Sequence, residues 1–182
     1  MVTALLTTVL GVVLVAQPLR AVPLPPFEQW QQVALAPDDW EPGTEIILDQ
    51  PGAEDSAYGR GMWRIVGLGA VTVVIWDGDR MSPTEALQHY DTLDRLGIGR
   101  SPIPGAEVPP ELGTDAISVA HAADILGRES ITVRLAWRYD GWTLVMSVAD
   151  AAPADAVRTL ATRLTLRQQE KLTAAFPTKT GP

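Results

Sequence analysis

The stretch LAWRYDGWTLVMSV, Leu135 to Val148, constrains the fold more than any other part of the chain. Two apolar-alternating runs flank Asp140-Gly141, and Asp-Gly between such runs is a strong short-range signal for a β-hairpin closed by a type I′ turn. A two-residue turn fixes the register. It sets Tyr139 opposite Trp142, Trp137 opposite Leu144, Leu135 opposite Met146 and Val133 opposite Val148. Every pair on that face is apolar, and a one-residue slip would turn all of them outward. The other face carries Thr132, Arg134, Ala136 and Arg138 against Thr143, Val145, Ser147 and Ala149, and reads as the partly wet side of an antiparallel sheet. A second Trp-flanked Asp-Gly pair lies in VVIWDGDRM. Both are read as turn chemistry and cross-strand packing, not as catalytic devices.

Helix signals are clearest after the second pair. Ser82 suits an N-cap, Pro83 the first helical position, and Glu85 completes a capping box. Ala86, Leu87, Tyr90, Leu93 and Leu96 then recur at helical spacing until Gly97. A last helix runs from Pro153 to about Leu172, with Val157, Leu160, Ala161, Leu164 and Leu172 on one stripe. Upstream, a short helix is expected at Glu28 to Leu35, with Trp30 and Val33 on one side. DDWEPG reads as a turn, TEIILDQ as a strand and PGAEDSAYGRG as an exposed loop. Strands follow at Met62 to Val66, Ala70 to Trp76 and Ala116 to Ala120. IGRSPIPGAEVPPELG, Ile98 to Gly113, reads as a connector without periodicity.

The pattern predicts an α+β fold, an antiparallel sheet with two main helices packed on one face. TVVIWDGDRMSPTEAL and TLVMSVADAAPADAV both run strand, turn, helix. They are either two strand-strand-helix repeats or the residues that any strand-to-helix turn favours. A single domain is expected over residues 22–176, with halves of about 44–97 and 114–174 and a flexible tail at 177–182.

Location is read from ALLTTVLGVVLVA, Ala4 to Ala16, an uninterrupted apolar run followed by QPLRA. Its length matches the core of a signal peptide, with small-residue cleavage options after Ala16 or Ala21. It is short for a bilayer span, although residues 3–19 could cross a thin one. Residues 1–21 are therefore either a cleaved signal peptide or a retained N-terminal anchor, and the remainder is expected outside the membrane.

Composition removes several function classes. The chain has 182 residues, 46% of them hydrophobic, which is enough to bury a core. Its net charge of −8, without any basic run, argues against nucleic-acid binding. The absence of cysteine excludes disulfides, thiol catalysis and thiolate metal sites. Twelve of the 14 basic residues are Arg and there is no Asn, as expected of GC-rich coding DNA in a high-GC bacterium.

No catalytic constellation, metal site or cofactor motif is found. His89 and His121 are isolated, and neither H-E-x-x-H nor G-x-S-x-G occurs. Asp77-Gly78-Asp79 lacks the acid spacing of a calcium loop. Gly67 and Gly69 are followed by a strand instead of the helix that a dinucleotide site needs. One constellation suggests binding. Arg134 and Arg138 lie on one face of a strand, roughly 13 Å apart, and Arg64 would join them if strand order allows. Such a cationic face would suit a small anionic ligand or an acidic envelope partner. Trp63, Trp76, Trp137 and Trp142 are assigned to the core. Trp30 and Trp40, in the less regular early segment, are the candidates for a surface contact.

The C-terminal part, ELGTDAISVA and ESITVRLAWRYDGWTLVMSVADAAPADAVRTLATRL, resembles extracytoplasmic sensor-type domains found on actinobacterial serine/threonine kinases and on small secreted or lipoprotein relatives. The resemblance covers less than half of the chain and rests on hydrophobic patterning. The sequence departs from the pattern in lacking the cysteines common there, and no kinase or lipobox is attached. It implies an antiparallel sheet flanked by helices around a cleft, an unidentified ligand and no catalysis, and it carries across no functional residue. The sequence thus points to an exported, non-enzymatic binding or sensor-like accessory domain of a bacterial cell envelope. The alternative is a membrane-anchored structural or assembly subunit of an envelope complex, touching the membrane only through residues 1–21.

Overall fold

The computed structural model describes residues 23–39, 44–48, 57–64, 70–77, 81–94, 100–125 and 127–177. Seven strands form one antiparallel sheet. In chain order they are β1 (Thr44–Leu48), β2 (Ala57–Arg64), β3 (Ala70–Asp77), β4 (Arg100–Ile103), β5 (Ile117–Ile125), β6 (Arg128–Tyr139) and β7 (Trp142–Asp150). The spatial order is β1-β2-β3-β7-β6-β5-β4. Three helices accompany the sheet: α1 (Phe27–Val33), α2 (Pro83–Asp94) and α3 (Ala154–Ala175). The fold is α+β.

The hairpin forms as its turn dictates. Tyr139 pairs with Trp142, Trp137 with Leu144, Leu135 with Met146 and Val133 with Val148. Asp140 and Gly141 adopt φ of 46° and 89°, the positive values of a type I′ turn. These residues face α3, whose Val157, Ala161, Leu164 and Leu172 are fully buried against them. From β3, Val71, Val73 and Ile75 join the same core, as do Trp30, Val33 and Leu35 from the N-terminal segment.

The two main helices do not share a face, contrary to the sequence expectation. Ala86 and Leu87 of α2 pack on Ala136 and Val145, whose side chains alternate to the side of the sheet opposite α3. Small Ala136 beside Val145 leaves a shallow apolar seat on the face that alternation alone marks as wet, and α2 fills it. Thr143, also on that face, donates its hydroxyl to the Met81 carbonyl at 2.6 Å and ties down the start of α2. The capping box is formed: the Ser82 N–H donates to Glu85 Oε2 at 2.7 Å, and the Glu85 N–H to Ser82 Oγ at 3.3 Å.

The opposite placement also bears on the repeat. β3 and β7 are adjacent and antiparallel, so a two-fold axis normal to the sheet could exchange β2-β3 with β6-β7. Such an axis preserves faces, yet α2 and α3 lie on different ones. The strands follow that symmetry and the helices do not.

Other boundaries move. The segment read as a connector contains β4, paired with β5 from Arg100↔Ala123 to Ile103↔Ala120. The segment read as an exposed loop contributes Ala57 to Gly61 to β2. Strand β5 extends to Ile125, where the Gly127 N–H donates to Asp124 Oδ1 at 2.7 Å and starts a second hairpin with β6. Residues 1–21, the expected signal or anchor, and the tail from 178 lie outside the described residues. No described helix is long and apolar enough to cross a membrane.

Candidate functional site

The three arginines singled out in the sequence do not make one exposed cationic face. Arg134 is 3% exposed, on the α2 side of the sheet, with Nε donating to Ser147 Oγ at 3.2 Å. Arg138, four residues on, is exposed. Arg64 stands in the strand phase of Met62, which pairs with Val71 on the α3 side, so backbone register puts it on the opposite face from the other two. The physical reason is burial on this face: α2 seats on Ala136 and Val145 and turns part of the expected wet face into an interface, and Arg134 in the same phase is buried as well.

The tryptophan expectation also changes. Trp30 is 1% exposed and packs in the main core, so it offers no surface contact; α1 packs against α3. Trp40 falls outside the described residues. Trp137 and Trp142 are core residues that also donate: Trp137 Nε1 to Gln169 Oε1 at 2.8 Å, and Trp142 Nε1 to the Pro23 carbonyl at 3.1 Å. Trp142 further meets Phe176 edge-to-face at 5.2 Å, and Tyr139 donates its hydroxyl to the Phe176 carbonyl, which fixes the end of α3.

His89 is exposed on α2. His121 lies within β5, paired with Pro102 and Thr132, and its Nδ1 is buried without a hydrogen-bond partner among the described residues. No group of three metal-ligating side chains occurs among the described residues.

The described surface features two open clefts, one on each side of the N-terminal half of α3. The larger, of about 590 Å³, lies between α3 and the segment after β4. Glu107 and Pro109 form one wall, and Arg158, Thr162, Arg163 and Leu166 the other. The smaller, of about 430 Å³, is bounded by Asp150, Asp155, Leu160 and Arg163. Thr159 and Arg163 border both. Helical periodicity explains this. At 100° per residue, Thr159 and Arg163 top the ridge opposite the buried stripe of Val157, Ala161 and Leu164.

The wall of the larger cleft is fixed by close packing. The Ala106 N–H donates to Ser118 Oγ at 2.9 Å. A Cβ on Gly105 would come within 2.8 Å of that same oxygen, so only glycine allows the segment this near to β5. Arg158 spans the cleft's end, donating Nε to the Pro104 carbonyl at 2.9 Å and Nη1 to Asp155 Oδ1 at 2.6 Å.

Beyond these clefts, α3 grips the N-terminal segment through two polar clasps that the sequence did not reveal. The buried amide of Gln168 accepts from the Leu35 N–H and donates to the Val33 carbonyl, each at 3.1 Å. Asp39, with its side chain 4% exposed, accepts from Lys171 Nζ, Arg167 Nε and the Ala36 N–H, each at 2.7 Å. Burial would raise the Asp39 pKa. The hydrogen bonds from Lys171, Ala36 and Arg167 outweigh it and hold the carboxyl down at about 2. An apolar stripe interrupted at one position by Gln was the available signal for the first clasp.

No family model and no curated protein matches the chain. Among solved structures it is similar to PA94, a Pseudomonas aeruginosa protein of unknown function, at 11% identity and a TM-score of 0.34, over 72% of this chain and 85% of that one. It is also similar to LpqN, involved in cell envelope biogenesis of Mycobacterium tuberculosis, at 17% identity and a TM-score of 0.29, over 71% and 83%. Superpositions of this quality put no residue here in correspondence with a functional residue there.

Proposed function

We propose that the protein is an exported, non-enzymatic binding or accessory domain of a high-GC bacterial cell envelope, with its ligand site beside α3. The observation that carries this reading is the pair of clefts meeting at Thr159 and Arg163, each within the size range of small-molecule sites. Among the described residues the clefts bring together guanidinium, carboxylate, hydroxyl and apolar groups, a mixture that suits recognition of a small polar molecule. In this reading the anion contact expected on the sheet at Arg134, Arg138 and Arg64 moves to α3. Export rests on the apolar run of residues 4–16, whose length is that of a signal-peptide core.

The test of export is intact mass and N-terminal sequencing of the protein from its native host, after envelope, released and cytosolic fractions are separated. A first residue of Gln17 or Val22 in the envelope or released fraction is expected. An intact Met1 start in the membrane fraction would instead support the anchored subunit, and recovery from the cytosol alone would overturn export.

A further inference from the structure

We infer that the larger cleft selects compact organic anions, a carboxylate or phosphate monoester carrying a small apolar group, through the guanidiniums of Arg158 and Arg163. The inference rests on the binding reading above and names the chemistry of its ligand. Its basis is the construction of the Arg158 side chain. That group is 23% exposed, and its hydrogen bonds to Pro104 and Asp155 fix the plane of the guanidinium. Both bonds use Nε and Nη1, so Nη2 is left without a partner among the described residues, on the cleft wall. A guanidinium held in place before a ligand arrives loses little further freedom on binding, and its planar fork matches a carboxylate or phosphate edge.

The surroundings fit the same class. Among the described residues the cleft lining carries two guanidiniums and the one carboxylate of Glu107, with the Asp155 carboxylate on Arg158 Nη1 at its end. The Thr162 hydroxyl is available as a donor, since no described residue bonds it, whereas Thr159 spends its own on the Asp155 carbonyl. Pro109 and Leu166, on facing walls, supply apolar surface for the rest of the ligand. Glu107 on the facing wall disfavours polyanions, which would have to approach it with a second negative charge. Together these features describe one compact anionic head with a short apolar body and no second anionic group.

The experiment is a ¹H–¹⁵N NMR titration of the full chain at 0.15 M salt with four probes of similar shape: benzoate, phenyl phosphate, benzamide and benzylamine. Benzoate, phenyl phosphate or both are expected to shift the amides of Glu107, Val108 and Thr159 to Leu166 saturably. Benzamide and benzylamine should bind at least about tenfold more weakly, as the loss of a charge-assisted contact requires. R158Q/R163Q should lose about tenfold for the anions, with its own spectral changes confined to the cleft residues and the Pro104 to Pro109 segment that Arg158 contacts. R158K, which keeps the charge and loses the fork, should lose part of that. Benzamide binding as tightly as benzoate at the same amides would overturn anion selection while leaving the cleft a binding site. No shift at these amides with any probe would overturn the binding reading itself.

Discussion

Gln168 offers the sharpest test of how α3 holds the N-terminal segment, and Gln168→Met is the cleanest perturbation. Methionine has nearly the volume of glutamine and a flexible chain, so the change leaves no large cavity and removes little besides the amide. What remains is the Leu35 N–H and the Val33 carbonyl, both paired at 3.1 Å in the native protein and both now without their partner in a site that is 0% exposed. A buried backbone group left unsatisfied costs about 1–3 kcal/mol, and the newly buried thioether returns a fraction of that, so a net loss of about 2–4 kcal/mol is expected. At about 2–4 °C per kcal/mol for a domain of this size, the melting temperature should fall by roughly 4–16 °C. Urea unfolding followed by circular dichroism gives the free energy, and amide hydrogen exchange at Leu35 localises it. Exchange there should accelerate by more than the global destabilisation explains, because the segment can now detach by itself. A Q168M midpoint within about 0.5 kcal/mol of wild type, with Leu35 exchange unchanged, would refute the clasp.

The neighbouring clasp is pH-dependent, and its sign follows from a carboxyl held at about 2 instead of its ordinary 3.8. That shift corresponds to roughly 2 kcal/mol, reduced to about 1–2 because Arg167 is half exposed. The contribution is complete above about pH 5 and is lost as pH falls toward 2. Asp39→Asn should therefore be less stable than wild type at pH 7 and indistinguishable from it at pH 2; a gap persisting at pH 2 in urea titrations would show that the charge is not its source. Gly141→Val forces a β-branched residue to φ of 89° and should cost about 1–3 kcal/mol; an unchanged thermal midpoint would argue against the type I′ turn. Arg134→Ala should destabilise by at least about 1.5 kcal/mol more than Arg138→Ala, since only the first empties an enclosed site and strips Ser147 of its partner. Equal losses in chemical denaturation would contradict that enclosure.

The parts of the fold legible in the sequence are those fixed by short-range geometry. Asp140-Gly141 sets the register of every β6–β7 pair because a two-residue turn admits no slack. Ser82 and Glu85 announce a helix because their hydrogen bonds are local. What stayed hidden depends on partners distant in sequence. β4 is four residues long, contains Pro102 and becomes a strand only because β5 offers it an edge. Arg134 stands with Ala136 and Arg138 in the same phase, and nothing local tells that the first two will be buried and the third left exposed. Trp30 belongs to a short helix that looks irregular alone and is buried through α3, whose Gln168 reaches Val33 and Leu35 from more than a hundred residues away. The cleft was equally invisible: Glu107 and Arg158 come from a segment without periodicity and from the polar side of a helix.

Helix α3 separates these two kinds of information along its own axis. Positions 157, 161, 164, 168 and 172 face inward and are all buried, so they answer to core volume and to the N-terminal segment. Positions 158, 162 and 166 run along the adjacent flank at four-residue spacing and line the cleft, with Thr159 and Arg163 on the crest. Stability and recognition therefore load different sides of one rigid element, and substitutions in the cleft should leave the free energy of unfolding nearly unaffected. Arg158 is the informative exception, because its contacts with Pro104 and Asp155 serve the wall as well as the ligand. If Arg158→Gln weakens anion binding and also loosens the segment from Pro104 to Pro109, as read by hydrogen exchange there, one guanidinium both builds the site and fills its role in it. If binding falls with that segment's exchange unchanged, Asp155 alone suffices to orient the side chain and the wall is held by Gly105 and Ser118.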